Sequence, residues 1–368
     1  MKKLEASDRT FMRRCLELAA RGKGLVSPNP MVGCVIVKNG EIVGEGYHQR
    51  FGGPHAEVYA LRKAGRKARG ATAFVNLEPC PHYGKTPPCV DALLRAGVQR
   101  VVASSKDPNS LISGQGFARL RKAGVEVRVG VLRADAEQLN ERFFFFMRSR
   151  MPFVAIKIAQ TLDGYTADSY GRSKWITSEQ ARREAHRIRG EYDAILVGAN
   201  TAIEDNPQLT VRAAKGRNPI RVVIDGQLRV PTHSRIFNTR LARTMVFTTK
   251  SSLSKKRSKV AKLLERGVQL LAIESRRELD VSAILRTLAA LGISSVLIEG
   301  GSTTLGGFVR RKLVQKMHCF LAPKMIGGGL HALSLKPSLQ LGRAVRLHAV
   351  STKPVGVDIL IEGTLLYS

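Results

Sequence analysis

Short apolar runs, each closed by glycine, proline or charge, alternate with helix-length stretches along this entire chain, without a fixed-period repeat or low-complexity linker. "MVGCVIV" (Met31 to Val37) and "EIVGEGY" (Glu41 to Tyr47) flank "KNG", where Asn39-Gly40 supplies the positive φ angles of a tight hairpin turn. A helix is expected from about His55 to Arg66, then a strand from Ala71 to Leu77 and a helix from about Pro88 to Ala96. The strand "VQRVVAS", another helix, the strand "VEVRVG" and a charged helix from about Arg133 to Phe146 complete the unit. Alternation of this kind requires an α/β layer structure with helices on both sheet faces.

"RSRMP" (Arg148 to Pro152) breaks the pattern, since proline after a basic helix end marks a boundary. A second strand series follows: "FVAIKIA", "YDAILVG", "PIRVVID", "TMVFTT", "VQLLAI", "SSVLIEG", "KMHCFLAP" and "VDILIEG". The expectation is two α/β domains, 1–149 and 150–368, in keeping with 368 residues at roughly 150 per domain. Each is large enough to bury a core without disulfide staples.

The N-terminal segment carries charge throughout and lacks the apolar core of a secretory signal. No apolar run approaches the roughly 18 residues of a membrane span, and "FFFF" (Phe143 to Phe146) reads as cover for a core or an interface. The five cysteines are scattered and odd in number, which points to a reducing, cytoplasmic location. The net charge of +31 favours phosphorylated substrates, nucleic acid or anionic membranes. The basic residues nevertheless spread over both halves, and the densest cluster, Lys250 to Arg266, reads as one solvated helix without the interleaved aromatics of a single-strand-binding platform. No membrane partner is expected, and nucleic acid is the weaker reading of the charge.

"PHAEV" sets His55 and Glu57 two residues apart at a helix start; Cys80 follows a strand and Cys89 opens the next helix. One histidine and two cysteines make a three-ligand zinc set, with the fourth tetrahedral position left to water. Cysteines near helix N-termini feel the positive dipole end, which favours the thiolate a metal needs. Zinc lowers the pKa of water toward ~7, and Glu57 is then the proton carrier between that water, a ring nitrogen and leaving ammonia. His55-Ala56-Glu57 and Pro79-Cys80 fit the zinc-deaminase signature H-x-E with P-C-x-x-C, but the cysteines stand eight residues apart rather than two. Two alternatives stay open at this point: idle buried thiols, or a structural zinc with His82 as fourth ligand.

In the second half, "AQTLDGYTA" (Ala159 to Ala167), "SKWITS" (Ser173 to Ser178) and "VGANTAIEDNPQLTVR" (Val197 to Arg212) follow strands or begin helices. "LIEGGSTTLGGF" (Leu297 to Phe308) is a strand, a glycine-rich turn and a helix, which lets backbone N–H groups approach a phosphate. It is not G-x-G-x-x-G, so a Rossmann reading is excluded.

"PCPHYGKTPPC" resembles the deaminase half of the bifunctional deaminase/reductase family of riboflavin biosynthesis, in which an insertion separates the two cysteine ligands. "SPNPMVGCVIV", "GEGYH", "PHAEV" and "DPN" (Asp107 to Asn109) occur in the family's order, and the second-half segments resemble its reductase half. The resemblance runs from about Asp8 to about Gly363. It implies a three-layer cytidine-deaminase-like domain followed by a dihydrofolate-reductase-like α/β domain. It implies one Zn²⁺ per chain on His55, Cys80 and Cys89, catalysis by Glu57, and deaminase substrate contacts from Asn29, His48, Lys85, Asp107 and Asn109. It implies NADPH along Ala159, Trp175, Thr201, Asp205 and the turn Gly301, Ser302, Thr303, Thr304, Leu305, Gly306 and Gly307. Lys157, Ser173, Arg189, Leu209, Arg212 and Glu299 would meet the reductase substrate, with Arg189 and Arg212 suited to bidentate phosphate binding. Pro81 stands where the family usually has serine, "DPNSLISGQG" varies its usual stretch, and Gly226 replaces a common serine.

The expected function is thus two consecutive steps on phosphorylated pyrimidines: hydrolytic deamination of 2,5-diamino-6-(5-phosphoribosylamino)pyrimidin-4-one, then NADPH-dependent reduction of the ribosyl group to ribityl. A homo-oligomer, dimer or tetramer, is expected. The rivals are a tRNA base deaminase with a C-terminal RNA-binding half, favoured by the charge, and a non-catalytic nucleic-acid binder with structural zinc. NADPH binding separates both rivals from the first reading.

Overall fold

The structure is a computed structural model that describes residues 2–110, 112–274, 279–335 and 337–367, with side chains from residue 6. It divides into two compact units, Met1–Arg150 and Met151–Ser368.

The first unit contains, in order, α1 (Lys2–Ala20), β1 (Gly33–Lys38), β2 (Glu41–Tyr47), α2 (Ala56–Ala64), β3 (Thr72–Leu77), α3 (Cys89–Arg95), β4 (Arg100–Ser105), α4 (Gln115–Lys122), β5 (Glu126–Val129), α5 (Arg133–Leu139) and α6 (Glu141–Ser149). The hairpin β1–β2 turns at Asn39 (φ 53°) and Gly40 (φ 81°), as Asn-Gly dictates. Strand order is β2-β1-β3-β4-β5, antiparallel around β1 and parallel from β3 to β5. Alternation along β1 sorts the two cores. Cys34 and Ile36 pack with Ala56, Ala60, Leu93 and Leu120 of α2, α3 and α4. Val35 and Val37 face Met12, Cys15 and Leu18 of α1. This is the three-layer arrangement that the alternation requires.

The single charged helix expected from Arg133 to Phe146 is instead two, broken at Asn140 (φ −103°). The Asn140 side chain accepts from the Met31 N–H at 2.8 Å and donates to the Met31 carbonyl at 2.9 Å. A buried residue committed to another loop's backbone sets the local path over helix propensity.

The second unit contains β6 (Phe153–Thr161), β7 (Tyr165–Ala167), α7 (Glu179–Arg189), β8 (Ala194–Gly198), α8 (Ala199–Glu204), β9 (Ile220–Ile224), β10 (Thr244–Thr248), α9 (Lys250–Lys255), α10 (Arg257–Glu265), β11 (Gln269–Ala272), α11 (Val281–Ala290), β12 (Ser295–Ile298), α12 (Ser302–Arg310), β13 (Lys316–Ala322), β14 (Leu330–His331), β15 (Arg346–Val355) and β16 (Asp358–Leu366). Its nine-stranded sheet has the order β11-β10-β9-β8-β12-β6-β13-β16-β15, with β16 and β15 antiparallel at one edge. The strands from β11 to β13 are parallel, so the loops after β6, β8 and β12 gather at one end of the sheet. In open α/β sheets that end carries the ligand crevice.

The run Lys250 to Arg266 is also two helices, α9 and α10, parted at Lys256 (φ −112°), whose Nζ donates to the Leu228 carbonyl at 3.2 Å. It is not wholly solvated, because Leu263 is fully buried. The expected strands all form; β7, β14 and β15 have no counterpart in the sequence reading, being short or solvent-facing at an edge without an apolar signature.

Candidate active sites

In the first unit, His55 caps the N-terminus of α2 with extended backbone (φ −76°, ψ 166°), which turns its ring off the helix while Glu57 enters the first turn. Cys80 lies just past β3, and Cys89 is the first residue of α3. Two strand-to-helix passages thereby bring three ligand atoms within 4.8 Å of one another. His55 Nδ1 is 3.2 Å from Cys89 Sγ and 3.5 Å from Cys80 Sγ. The Cys89 backbone N–H donates to Cys80 Sγ at 3.3 Å, and Thr86 Oγ1 meets the other ring nitrogen of His55 at 3.4 Å. The hydrogen bond between the two thiols, aided by His55, holds the Cys80 thiol down to about 4 and pushes the Cys89 thiol up in turn, so the first thiolate forms at Cys80. All five cysteines are free. His82 is exposed on the insertion and lines the cavity, but among the described residues the candidate ligand set is His55, Cys80 and Cys89.

Glu57 is 3% exposed, and its Oε2 has no hydrogen-bond partner among the described residues. Burial pushes its carboxyl up from the usual range, so it is suited to hold a proton as well as release one. A histidine Nδ1 and two thiols at these separations, next to an orphaned carboxylate oxygen, fit a zinc ion and its water.

His55, Cys80 and Glu57 line a cavity of about 330 Å³ that also collects Asn29, His48, Lys85, Asp107 and Asn109, while Cys89 is fully buried. Asn29 Nδ2 is 3.2 Å from His48 Nε2, and the Pro54 carbonyl fixes the other ring nitrogen of His48 at 2.9 Å. Burial lowers the pKa of His48, which favours the neutral ring. The Lys85 ammonium lies 3.9 Å over the Phe51 ring at the cavity mouth. Asp107 accepts from the Asn109 N–H at 2.8 Å; Leu111, in the same stretch, is outside the described residues.

Sequence reasoning missed several lining residues: Phe51, Glu78, Thr86, Phe143 and Met147. Phe143 belongs to the "FFFF" run read as cover, and only Phe144 of that run is buried. Glu78 left one usable signal, a carboxylate directly after a strand and two residues before Cys80.

In the second unit, Glu299 follows β12 and is buried between two cations. Arg189 grips it with a fork, Nε to Oε1 at 2.9 Å and Nη2 to Oε2 at 3.0 Å, and Lys157 Nζ lies 3.4 Å from Oε2. Burial opposes ionisation of Glu299, but Arg189 and Lys157 outweigh it and hold the carboxyl at about 2. Arg189 Nη1 also donates to the Thr210 carbonyl at 2.7 Å. The expectation that Arg189 takes a substrate phosphate therefore meets a competing fact: its fork is engaged by Glu299. Arg212, by contrast, is exposed; partial burial, then Arg189 and Arg235, lower its pKa, and Glu299 opposes that. Arg235 was not among the expected residues.

Thr201 Oγ1 accepts from the Gly301 N–H at 2.8 Å, tying the start of α8 to the turn after β12. Gly301 caps α12, whose first-turn amides, Ser302 to Thr304, have no preceding helical carbonyl to bond. A Cβ on Gly198 would lie 2.5 Å from Thr304 Oγ1, so the passage is too tight for a side chain there. This exposed helix start beside a glycine turn fits a cofactor phosphate. Trp175 is exposed, with the Arg182 guanidinium 4.3 Å over its ring. Asp205 ends α8; burial raises its carboxyl, and Lys174, Lys157 and Ser173 oppose that. Ala159 and Lys157 sit on β6. Leu209 and Leu305 point into the cores, so any ligand contact there falls to their backbone. A Cβ on Gly226 would meet the Leu279 side chain at 3.6 Å, an ordinary van der Waals contact, so nothing steric demands glycine there.

The RibD C-terminal domain family matches residues 152–361, and the cytidine and deoxycytidylate deaminase zinc-binding region matches residues 5–105. The riboflavin biosynthesis protein RibD of Aquifex aeolicus is 46% identical over 88% of this chain and 89% of its own length. RibD of Escherichia coli K12 is 42% identical over 96% of this chain and 98% of its own length. The structure of Acinetobacter baumannii RibD superposes with a TM-score of 0.89 at 36% identity, covering 98% of this chain and 99% of that one. The Thermotoga maritima diaminohydroxyphosphoribosylaminopyrimidine deaminase/5-amino-6-(5-phosphoribosylamino)uracil reductase does so at 0.84 and 39% identity, with coverage of 98% and 99%. The chain belongs to the RibD family of riboflavin biosynthesis proteins. It is a bifunctional deaminase and reductase, with a cytidine-deaminase-like unit followed by a dihydrofolate-reductase-like one. A zinc-binding deaminase region and a nicotinamide-dependent reductase region go with that family. Among the described residues no helix is long and apolar enough to cross a membrane.

Proposed function

We infer that this RibD-family chain removes the 2-amino group of 2,5-diamino-6-(5-phosphoribosylamino)pyrimidin-4-one. It then reduces the ribosyl group of 5-amino-6-(5-phosphoribosylamino)uracil to ribityl. The observation that carries the reading is the clustering of the His55–Cys80–Cys89 donor set at one cavity, lined by His55, Cys80, Glu57 with its unpartnered Oε2, and the polar groups Asn29, His48, Lys85, Asp107 and Asn109.

His55, Cys80 and Cys89 would hold one zinc ion per chain. When bound, zinc supplies the Lewis acidity that makes water ionisable near neutral pH. Glu57 Oε2 would carry one proton from the water to the pyrimidine ring nitrogen, and then a second, from the hydroxyl that the water leaves on C2, to the departing amine. Burial, by raising its carboxyl, makes both transfers feasible. Asn29 and His48 orient the pyrimidine edge, and Lys85 faces the substrate phosphate.

In the second unit a bound nicotinamide, proposed to be that of NADPH, would supply the hydride for reducing the ribosyl group. Residues 301 to 307 with Thr201, Asp205, Trp175 and Ala159 would seat it. Glu299, held ionised by Arg189 and Lys157, anchors the Lys157 side chain that points to the sugar, while Ser173 and Arg212 meet the substrate. The unit boundaries proposed for the two activities are 1–149 and 150–368, and the active form is proposed to be a homo-oligomer.

The deciding assay supplies the diaminopyrimidine ribotide to metal-loaded protein with and without NADPH, and follows ammonia and NADPH absorbance. Ammonia in both cases, with NADPH oxidised in the second, is expected. No ammonia would sink the deaminase reading, and ammonia without NADPH oxidation would sink the reductase reading.

A further inference from the structure

Glu78, next to β3 and two residues before Cys80, is 5% exposed, yet none of the chemistry above uses it. Its carboxylate accepts four backbone amides from a segment about thirty to forty residues away. Oε2 takes Asp107 N–H at 3.1 Å and Gly114 N–H at 2.9 Å. Oε1 takes Gly116 N–H at 2.9 Å and Phe117 N–H at 3.3 Å. The last three amides are the open N-terminal donors of α4, capped here by a carboxylate from another part of the chain. The fit is close: a Cβ on Gly116 would lie 2.2 Å from the Pro79 carbonyl oxygen. Residues 107 to 112 between these anchors carry Asp107, Asn109 and Ile112 on the cavity wall. The same short strand end thus holds one zinc-ligand candidate, Cys80, and both ends of the loop that faces it.

We propose that Glu78 is a positioning residue for the deamination, setting the Asp107–Asn109 loop against the substrate at a fixed distance from the metal ligands. This rests on the deaminase reading above. Charge-assisted bonds from buried amides to one carboxylate are strong and directional. Losing them loosens the loop without touching the donor set.

The test uses full-length zinc-loaded protein carrying Glu78→Gln, which keeps shape but turns an NH₂ toward two of the four amide donors. Gly116→Ala attacks the same contact from the other side. In both variants KM for the diaminopyrimidine ribotide should rise roughly tenfold or more, while kcat stays within about threefold and zinc per chain is unchanged. Amide exchange at Asp107, Gly114, Gly116 and Phe117 should speed up at least roughly tenfold in Glu78→Gln. Unchanged KM in both variants would overturn the proposal. So would a joint fall of kcat and zinc content at constant KM, which would place Glu78 in service of the metal instead. If the wild-type protein releases no ammonia, the functional reading fails by itself, and the exchange measurement still decides whether Glu78 holds the loop.

Discussion

Glu57 and Glu299 are both buried glutamates, and their surroundings drive them in opposite directions. Glu57 has no cation fork, so burial raises it; Glu299 has Arg189 and Lys157, so it stays ionised at about 2. Glu57→Gln should keep its zinc, lose roughly 10²–10⁴-fold in ammonia release, and leave reduction of the deaminated substrate unchanged. Metal analysis alongside the two assays checks this. Loss of both activities in folded protein would contradict two separate sites. For Glu299 the sign follows from a folded pKa below the ordinary ~4.3. Its stabilisation is complete above that value and disappears as pH falls through about 2. Glu299→Gln should therefore unfold at lower denaturant at neutral pH, by about 3–5 kcal/mol for stranding Arg189 and Lys157. Its midpoint should change less than that of the wild type between about pH 5 and about pH 2. Glu57 and the three candidate metal ligands could be proposed from the sequence, because residue type and order carry their chemistry, and the fold does bring His55, Cys80 and Cys89 together. The fork on Glu299 was not, since Arg189 looks like any helix-end arginine until β12 places a carboxylate beside it.

At the scale of elements, the insertion between Cys80 and Cys89 matters through the loop it meets. Lys85 lies on the Phe51 ring, and Phe51 belongs to the loop before α2. Phe51→Leu keeps an apolar side chain but removes the ring face, worth about 0.5–1 kcal/mol. KM for the phosphorylated substrate should rise roughly two- to fivefold with kcat nearly unchanged; steady-state ammonia assays report it. The break between α5 and α6 is a second case. Asn140→Ala leaves the Met31 carbonyl with Asn76 Nδ2 at 2.9 Å but takes the acceptor from the Met31 N–H. A cost of about 1–3 kcal/mol is expected in denaturant unfolding of the first unit. Periodicity placed helices and strands well where one face is buried. It failed at Asn140 and Lys256, where a side chain reaches for a distant backbone carbonyl, and at β15, which is solvent-facing.

For the whole molecule, two sites in two units predict separable losses. Stripping zinc with a chelator should abolish ammonia release and leave NADPH oxidation on the deaminated substrate intact; a parallel fall of both would contradict the assignment. The net charge of +31 finds no single explanation in the fold. On the proposed function, the exposed Arg212 and Lys85 would set part of it against substrate phosphates. The sequence by itself determined the α/β class and a deaminase half followed by a reductase half, and it pointed to the His55, Cys80 and Cys89 candidate donor set. Those depend on local periodicity and on residue types whose chemistry is rare and ordered along the chain. The tertiary structure alone decided that Glu78 anchors the Asp107 loop, that Arg189 serves Glu299, and that Phe51 carries Lys85. Each is a pairing between distant segments of common residue types, and such a pairing comes into being only when packing brings the two segments together and desolvates the bond between them.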